Sequence, residues 1–168
     1  RGVVPERADE PGRLVPDPAP HPRRDRRQQA QAALRRPAAF ARAVHINLTA
    51  PWWLSQACLP LLKQAQDAAL VFALDDVARV GKAYWGGYGV AQHGLSALVG
   101  MLHAELASSP VRVSALQPGP MRTPLRAKAY VEDEDKQARD PAEYASACVT
   151  LLSSAGAEHR GQVWSVRA

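Results

Sequence analysis

The sequence predicts an α/β protein, a parallel sheet covered by helices. Three observations predict it. Apolar or β-branched runs of strand length stand at 68–74, 111–116 and 161–166. Helix-length segments with a 3.6-residue pattern precede and separate them. The resulting order of helix, strand, helix, strand, helix, strand joins each strand to the next through a helix, and such crossovers lay strands side by side in parallel. A chain of 168 residues is enough for one domain with one hydrophobic core.

The elements follow in order. "AAFARAVHINLTAPWWLSQACLPLLKQ" reads as a long helix from residue 38 to about Gln64. Pro51 lies inside it, and its missing amide predicts a kink just upstream, near Asn47. "AALVFAL", 68–74, reads as a strand, and "DDVARVGKAYWG" as a loop. Residues 87–107 form the clearest helix, with Ala91, Leu95, Leu98, Leu102 and Leu106 on one stripe. "VRVSAL", 111–116, alternates and is rich in β-branched residues, so it reads as a strand. "QPGPMRTPL" is a turn-rich loop. "PAEYASACVTLLSS", 141–154, opens with proline and has Glu143 in its first turn, as a helix start should. "GQVWSV", 161–166, reads as the last strand. Trp52, Trp53 and the leucine stripe are read as packing residues.

Residues 1–37 differ in kind. They hold seven of the fourteen prolines and no lysine, and show no sustained period. Proline at this density blocks helices and ladders, so the stretch is read as irregular, with residues 38–168 as the folded domain. Three readings stay open for it: a solvated tail, an arginine-rich nucleic-acid arm, or an out-of-frame translation of a GC-rich gene. The net charge of +5 bears on the second. Residues 1–40 carry nine arginines and five acids, net +4, while residues 41–168 are nearly balanced at net +1. The basic segment also lacks the aromatics on which bases stack, so nucleic acid is not the expected partner.

Other classes are set aside on composition. No apolar run approaches the length of a membrane span. No hydrophobic signal core opens the sequence, which favours a cytoplasmic protein. Cys58 and Cys148 form no CxxC and read as two small buried thiols in a reducing compartment. His93 and His103 stand ten apart on one helix, which makes no metal pair, and no metal site is expected.

In open parallel sheets, ligands bind beyond the C-terminal ends of the strands. Asp75-Asp76 follow the first strand and "QPGPMRT" follows the second. Tyr88 begins the helix between them, and Asn47 marks the expected kink. Four features thus converge on one sheet edge.

Those residues resemble the short-chain dehydrogenase/reductase family. "INLTAPWWLSQACLPLL", "YGVAQHGLSALVGMLHAEL" and "VRVSALQPGPMRTPL" follow its order and wording over about residues 38–167. Within it the sequence is most similar to YciK-like bacterial oxidoreductases, which share the "PGPMRTPLRAKAY" style of loop. The resemblance implies an incomplete Rossmann-like sheet with helices on both faces, lacking the N-terminal βαβ units, since residues 1–40 contain no glycine-rich phosphate-binding turn. It implies NAD or NADP as cofactor and a small carbonyl or alcohol as substrate. It implies a homo-oligomer paired through the long helices, which makes the leucine stripe a possible dimer face.

The family's catalytic set is Asn, Ser, Tyr and Lys. By resemblance Asn47 holds a relay water, Tyr88 passes a proton to or from the substrate oxygen, Asp75 takes the serine position and Gln92 the lysine position. Tyr88 and Gln92 would also meet the cofactor ribose. Thr123 would bind the nicotinamide carboxamide, and Pro118-Gly119 would let the backbone approach the ring. Both departures weaken proton transfer. A free tyrosine is ionised at pH 7 in roughly one molecule per thousand, and glutamine supplies no cation to help. Ionised Asp75 accepts hydrogen bonds only, and its charge opposes a phenolate. A protonated Asp75 could donate, given an apolar pocket. Asp75-Asp76 could equally be a plain cap. The expectation is an oxidoreductase weakened at two positions; the alternative is a non-catalytic relative that binds a ligand or partner. Residues 125–140, "LRAKAYVEDEDKQARD", read as a lid.

Overall fold

The computed structural model describes residues 36–129 and 138–166. Residues 1–37, read as irregular, fall almost wholly outside them, as does the middle of the expected lid. Within them lies a three-stranded parallel sheet in the order β1 (Ala68–Ala73), β2 (Val111–Gln117), β3 (Val163–Ser165). Ala68 stands opposite Val111 and Ala73 opposite Leu116, so β1 and β2 pair along the whole of β1. The predicted α/β class and its parallel sheet are what the structure has.

Helices cover both faces. On one lie α1 (Pro37–Val44), a π-helical turn (His45–Thr49), α2 (Ala50–Leu62) and α4 (Gly86–Glu105). Side chains of the π-helical turn, α2 and α4 meet Ala68, Phe72, Val111, Val113 and Ala115 in the main core, and α1 packs on α4. On the other face α6 (Ala145–Leu152) sets Ala147 and Leu151 against Leu116, Val71 and Trp164. Strand β2 is therefore buried on both faces. Its alternation "VRVSAL" marks two layers and not core against solvent. Arg112 and Ser114 lie under the second layer. The Arg112 guanidinium donates to Ser153 O at 2.9 Å and pairs with Asp67, so its charge is met where it is buried.

The single long helix expected over 38–64 is interrupted where proline said it would be. The turn at His45–Thr49 is π-helical, with the Ala50 amide bonded to His45 O. A π-bulge is one of the defined ways a helix bends. The expected loop 75–86 contains a short helix, α3 (Val77–Val80), capped by Asp76, whose side chain accepts from the amides of Ala78 and Arg79. The expected helix at 141–154 begins instead with a 3-10 turn, Pro141–Tyr144, closed by a reciprocal capping box between Asp140 and Glu143.

Two expectations fail here. The stripe Ala91, Leu95, Leu98, Leu102, Leu106 is buried in the chain's own core, so it is not a dimer face. The stripe was visible, but periodicity names a buried face without naming what buries it. Cys148 is exposed and Cys58 only half-buried, against the reading of two buried thiols. Ala147 and Leu151, four apart, take the inner face of α6, and Cys148 sits about 100° around from Ala147 at 3.6 residues per turn. No described helix is long and apolar enough to cross a membrane.

Leu102 is wholly buried at the centre of the main core. Replacing it with alanine should cost about 2–5 kcal/mol of unfolding free energy, read from a denaturant midpoint at unchanged slope.

Candidate active site

The end of β1 builds the site. The chain stays bonded to β2 through Leu74 N to Leu116 O at 2.8 Å, then turns out of the sheet. Asp75 is the first residue beyond. Its backbone N–H donates to Gln92 Oε1 at 2.9 Å. Its carboxylate accepts from the Asp76 amide at 2.7 Å through Oδ1, which also meets the Arg79 guanidinium. The Tyr88 hydroxyl donates to Asp75 Oδ2 at 3.0 Å. Three donors, the Asp76 amide, the Arg79 guanidinium and the Tyr88 hydroxyl, thus meet the Asp75 side chain.

Small residues on α4 allow this approach. A Cβ on Gly87 would lie 2.6 Å from the Phe40 carbonyl oxygen, and one on Gly89 would lie 2.2 Å from the Val80 carbonyl oxygen. Glycines on both sides of Tyr88 thus let α1 and α3 close on the first turn of α4. That contact brings Arg79 and Asp75 to the phenol. The turn before α4 holds Tyr84 at φ 78° and Gly86 at φ 48°, both left-handed.

Gln92 follows Tyr88 by one helical turn and is only 4% exposed. Because the Asp75 amide donates, the Gln92 oxygen must face it, which assigns the side-chain amide. Gln92 Nε2 makes no hydrogen bond with the described residues. The structure therefore brings Tyr88, Asp75 and Gln92 into one hydrogen-bonded cluster. Asn47 stands apart from it in bonding. Its Nδ2 donates to Ala43 O at 2.9 Å, within its own helix, at the π-helical turn.

The loop after β2 makes protein contacts at two of its expected cofactor residues. Gly119 does leave room, but a protein group takes it: a Cβ there would lie 2.7 Å from the Tyr144 hydroxyl oxygen. Tyr144 is buried, and its hydroxyl reaches Pro120 O at 3.4 Å. Thr123 Oγ1 accepts from the Arg126 amide at 3.1 Å and so starts helix α5 (Pro124–Ala129). Its hydroxyl proton is not used in that bond. Arg139 N donates to Pro120 O at 2.9 Å and Arg122 N to Arg139 O at 2.8 Å, which ties the two ends of the 123–138 excursion together. Residues 130–137, the middle of the expected lid, lie outside the described residues.

Sequence reasoning missed two residues. Arg79 lies four after Asp75 in "DDVAR", a spacing that signals an ion pair only once the segment is known to be helical. Tyr144 carried no signal, because nothing local ties it to Gly119.

The nicotinamide end of a dinucleotide finds matching groups here. Gln92 Nε2 and the Thr123 hydroxyl are neutral donors, suited to a ribose hydroxyl and a carboxamide. The cation that the resemblance leads one to expect at residue 92 is replaced by this neutral amide.

Comparison with known proteins gives the following. A family model described as enoyl-(acyl carrier protein) reductase matches residues 24–167. The uncharacterized oxidoreductase YciK of Escherichia coli (strain K12) is 31% identical over 107 residues, which is 64% of this chain and 42% of the relative. A short chain dehydrogenase from Pseudomonas syringae superposes with a TM-score of 0.73 at 31% identity, covering 79% of this chain and 54% of that one. A short chain dehydrogenase from Shigella flexneri 2a str. 301, complexed with NADP, does so with a TM-score of 0.71 at 28% identity, covering 77% and 54%. The chain spans about half the length of these relatives.

The glycines make a paired prediction. Gly89→Ala should destabilise by about 1–3 kcal/mol, because its methyl meets backbone that cannot step aside. Gly100→Ala, in open space on the same helix, should stabilise by about 0.5–1 kcal/mol. Chemical denaturation of both variants reads the contrast.

Proposed function

The chain belongs to the short-chain dehydrogenase/reductase family, and from that premise we propose that it carries the substrate- and nicotinamide-facing part of an NAD(P)-dependent carbonyl–alcohol oxidoreductase. The observation that carries this reading is the cluster of Tyr88, Asp75 and Gln92 at the C-terminal edge of a parallel sheet, where such folds bind ligands. The NADP held by the Shigella flexneri relative supports a nicotinamide cofactor.

The roles follow from the groups present. Tyr88 is the residue that would exchange a proton with the substrate oxygen. Gln92 Nε2 would donate to a ribose hydroxyl. The Thr123 hydroxyl and the backbone at Pro118-Gly119 would face the carboxamide. Asn47, at the π-helical turn, would hold a water. When bound, the nicotinamide supplies or takes the hydride; the protein's part is the proton.

That part is weakened as built. Gln92 brings no positive charge to stabilise a phenolate. Asp75 gives a substrate carbonyl no donor, and its carboxylate already engages the Tyr88 proton. Slow turnover is the expected consequence. The same Tyr88–Asp75 bond favours the second reading, a relative that binds a ligand without turning it over.

Two measurements test the proposal. Titration of the folded chain with NADH and NADPH, followed by calorimetry, should show saturable binding of at least one. The double substitution Asp75→Ser, Gln92→Lys should then raise carbonyl reduction by about 10²-fold or more, the scale of a restored general acid. Binding without any gain in turnover would leave the ligand-binding reading. No binding by a folded chain would sink the oxidoreductase reading.

A further inference from the structure

The segment Gln117-Pro118-Gly119-Pro120, where the chain leaves β2, is held from beneath. Gln117 O accepts from the Val166 amide at 3.1 Å, just past β3. Pro120 O accepts twice, from the Arg139 amide at 2.9 Å and from the Tyr144 hydroxyl at 3.4 Å. Pro118 and Pro120 have no N–H, so Gly119 carries the one backbone donor between Gln117 and Met121. Residues 117–120 are half-buried, while Tyr144 is buried at 5% exposure. The Tyr144 phenol therefore lies on the protein side of the loop. A Cβ on Gly119 would stand 2.7 Å from the Tyr144 oxygen; the next atoms, Tyr144 Cζ and Val166 O, lie at 3.6 and 3.7 Å. The φ of Gly119 is outside the left-handed region, so its backbone could carry alanine. One oxygen atom is what requires glycine there. Tyr144 is itself fixed, because it ends the 3-10 turn that the Asp140–Glu143 capping box closes.

We infer that Tyr144 is a positioning residue for the nicotinamide end of the site: its hydroxyl meets Gly119 by contact and Pro120 by hydrogen bond, and so fixes the backbone that would face the carboxamide. This role rests on the proposed nicotinamide cofactor. It changes the reason for the glycine. On the family resemblance, Gly119 is bare so that the ring can approach. In this chain the missing side chain points at Tyr144, so the close approach is between two parts of the protein. A carboxamide both donates and accepts, so it reads the spacing of the backbone groups opposite it. A loop held at that spacing before the ligand arrives binds it without first having to be ordered. Tyr144 acts through Gly119 and Pro120 and takes no part in the proton or hydride step.

The test crosses Tyr144→Phe with Gly119→Ala in the full chain. It reads the urea midpoint and the affinity for NADH and NADPH, followed by nicotinamide fluorescence. Tyr144→Phe removes the oxygen and keeps the ring. It should weaken nucleotide binding by about three- to tenfold, the scale of one lost hydrogen bond. Gly119→Ala alone should weaken binding by about tenfold or more and lower the urea midpoint, because the methyl drives the loop off the oxygen. In the Tyr144→Phe background the nearest atom to that methyl is the ring carbon at 3.6 Å, an ordinary contact. There the same substitution should cost about twofold or less in affinity, and its shift of the midpoint should shrink by about half or more. A glycine kept bare for the ring's sake would instead make Gly119→Ala equally costly in both backgrounds, which overturns the inference. Equal affinity of the parent and Tyr144→Phe also overturns it and leaves the oxidoreductase reading standing. If neither nucleotide binds the folded parent, the proposed function fails and takes the cofactor role with it, and the midpoints alone then decide whether Tyr144 sets the loop. Should Gly119→Ala fail to fold, the affinity of Tyr144→Phe decides.

Discussion

The site depends on one hydrogen bond, from the Asp75 backbone amide to Gln92 Oε1. It joins the end of β1 to the second turn of α4. A backbone N–H leaving a strand has lost its ladder partner, and burying it unpaired would cost about 1–3 kcal/mol. Gln92 meets that need from a position almost wholly closed to solvent. With that junction in place, Asp75 is held one residue past the sheet, Asp76 can cap α3, and Arg79 comes back over Asp75. Tyr88, one turn before Gln92 on the same helix, then has a carboxylate within reach. Glutamine at 92 is thus an architectural residue as well as a candidate cofactor contact.

Much of this was legible in the sequence. The apolar run at 68–74, the alternation at 111–116 and the stripe from Ala91 to Leu106 located two strands and the main helix, because burial forces those periods. Pro51 located the bend near Asn47, because a missing amide must be absorbed somewhere upstream. The convergence of Tyr88 and Asp75 followed from the rule that crossovers put strand ends and helix starts on one edge, and Gln92 came from the family resemblance. What was illegible depends on contacts between segments far apart in the chain. The alternation of "VRVSAL" could not say that Arg112 faces a second helical layer. Gly119 could not say that Tyr144, twenty-five residues on, would occupy its space. Arg79 could not be paired with Asp75 before α3 was known to be a helix.

The two departures from the family pattern act on one another. The resemblance leads one to expect a neutral serine at 75 and a cationic lysine at 92. Here the first position carries a negative charge and the second none, which by itself would leave a net negative site. Arg79 meets that charge directly. The positive charge at this edge sits on Arg79, paired with the Asp75 carboxylate.

That pairing separates structure from chemistry at this edge. The bonds from Asp75 to Gln92, Arg79 and Tyr88 join β1, α3 and α4 without substrate or cofactor. The group best placed to react, the Tyr88 phenol, is held by one of those same bonds. Any reaction that needs its proton must first break the link to Asp75, a hydrogen bond to a charged acceptor worth about 1.5–3 kcal/mol.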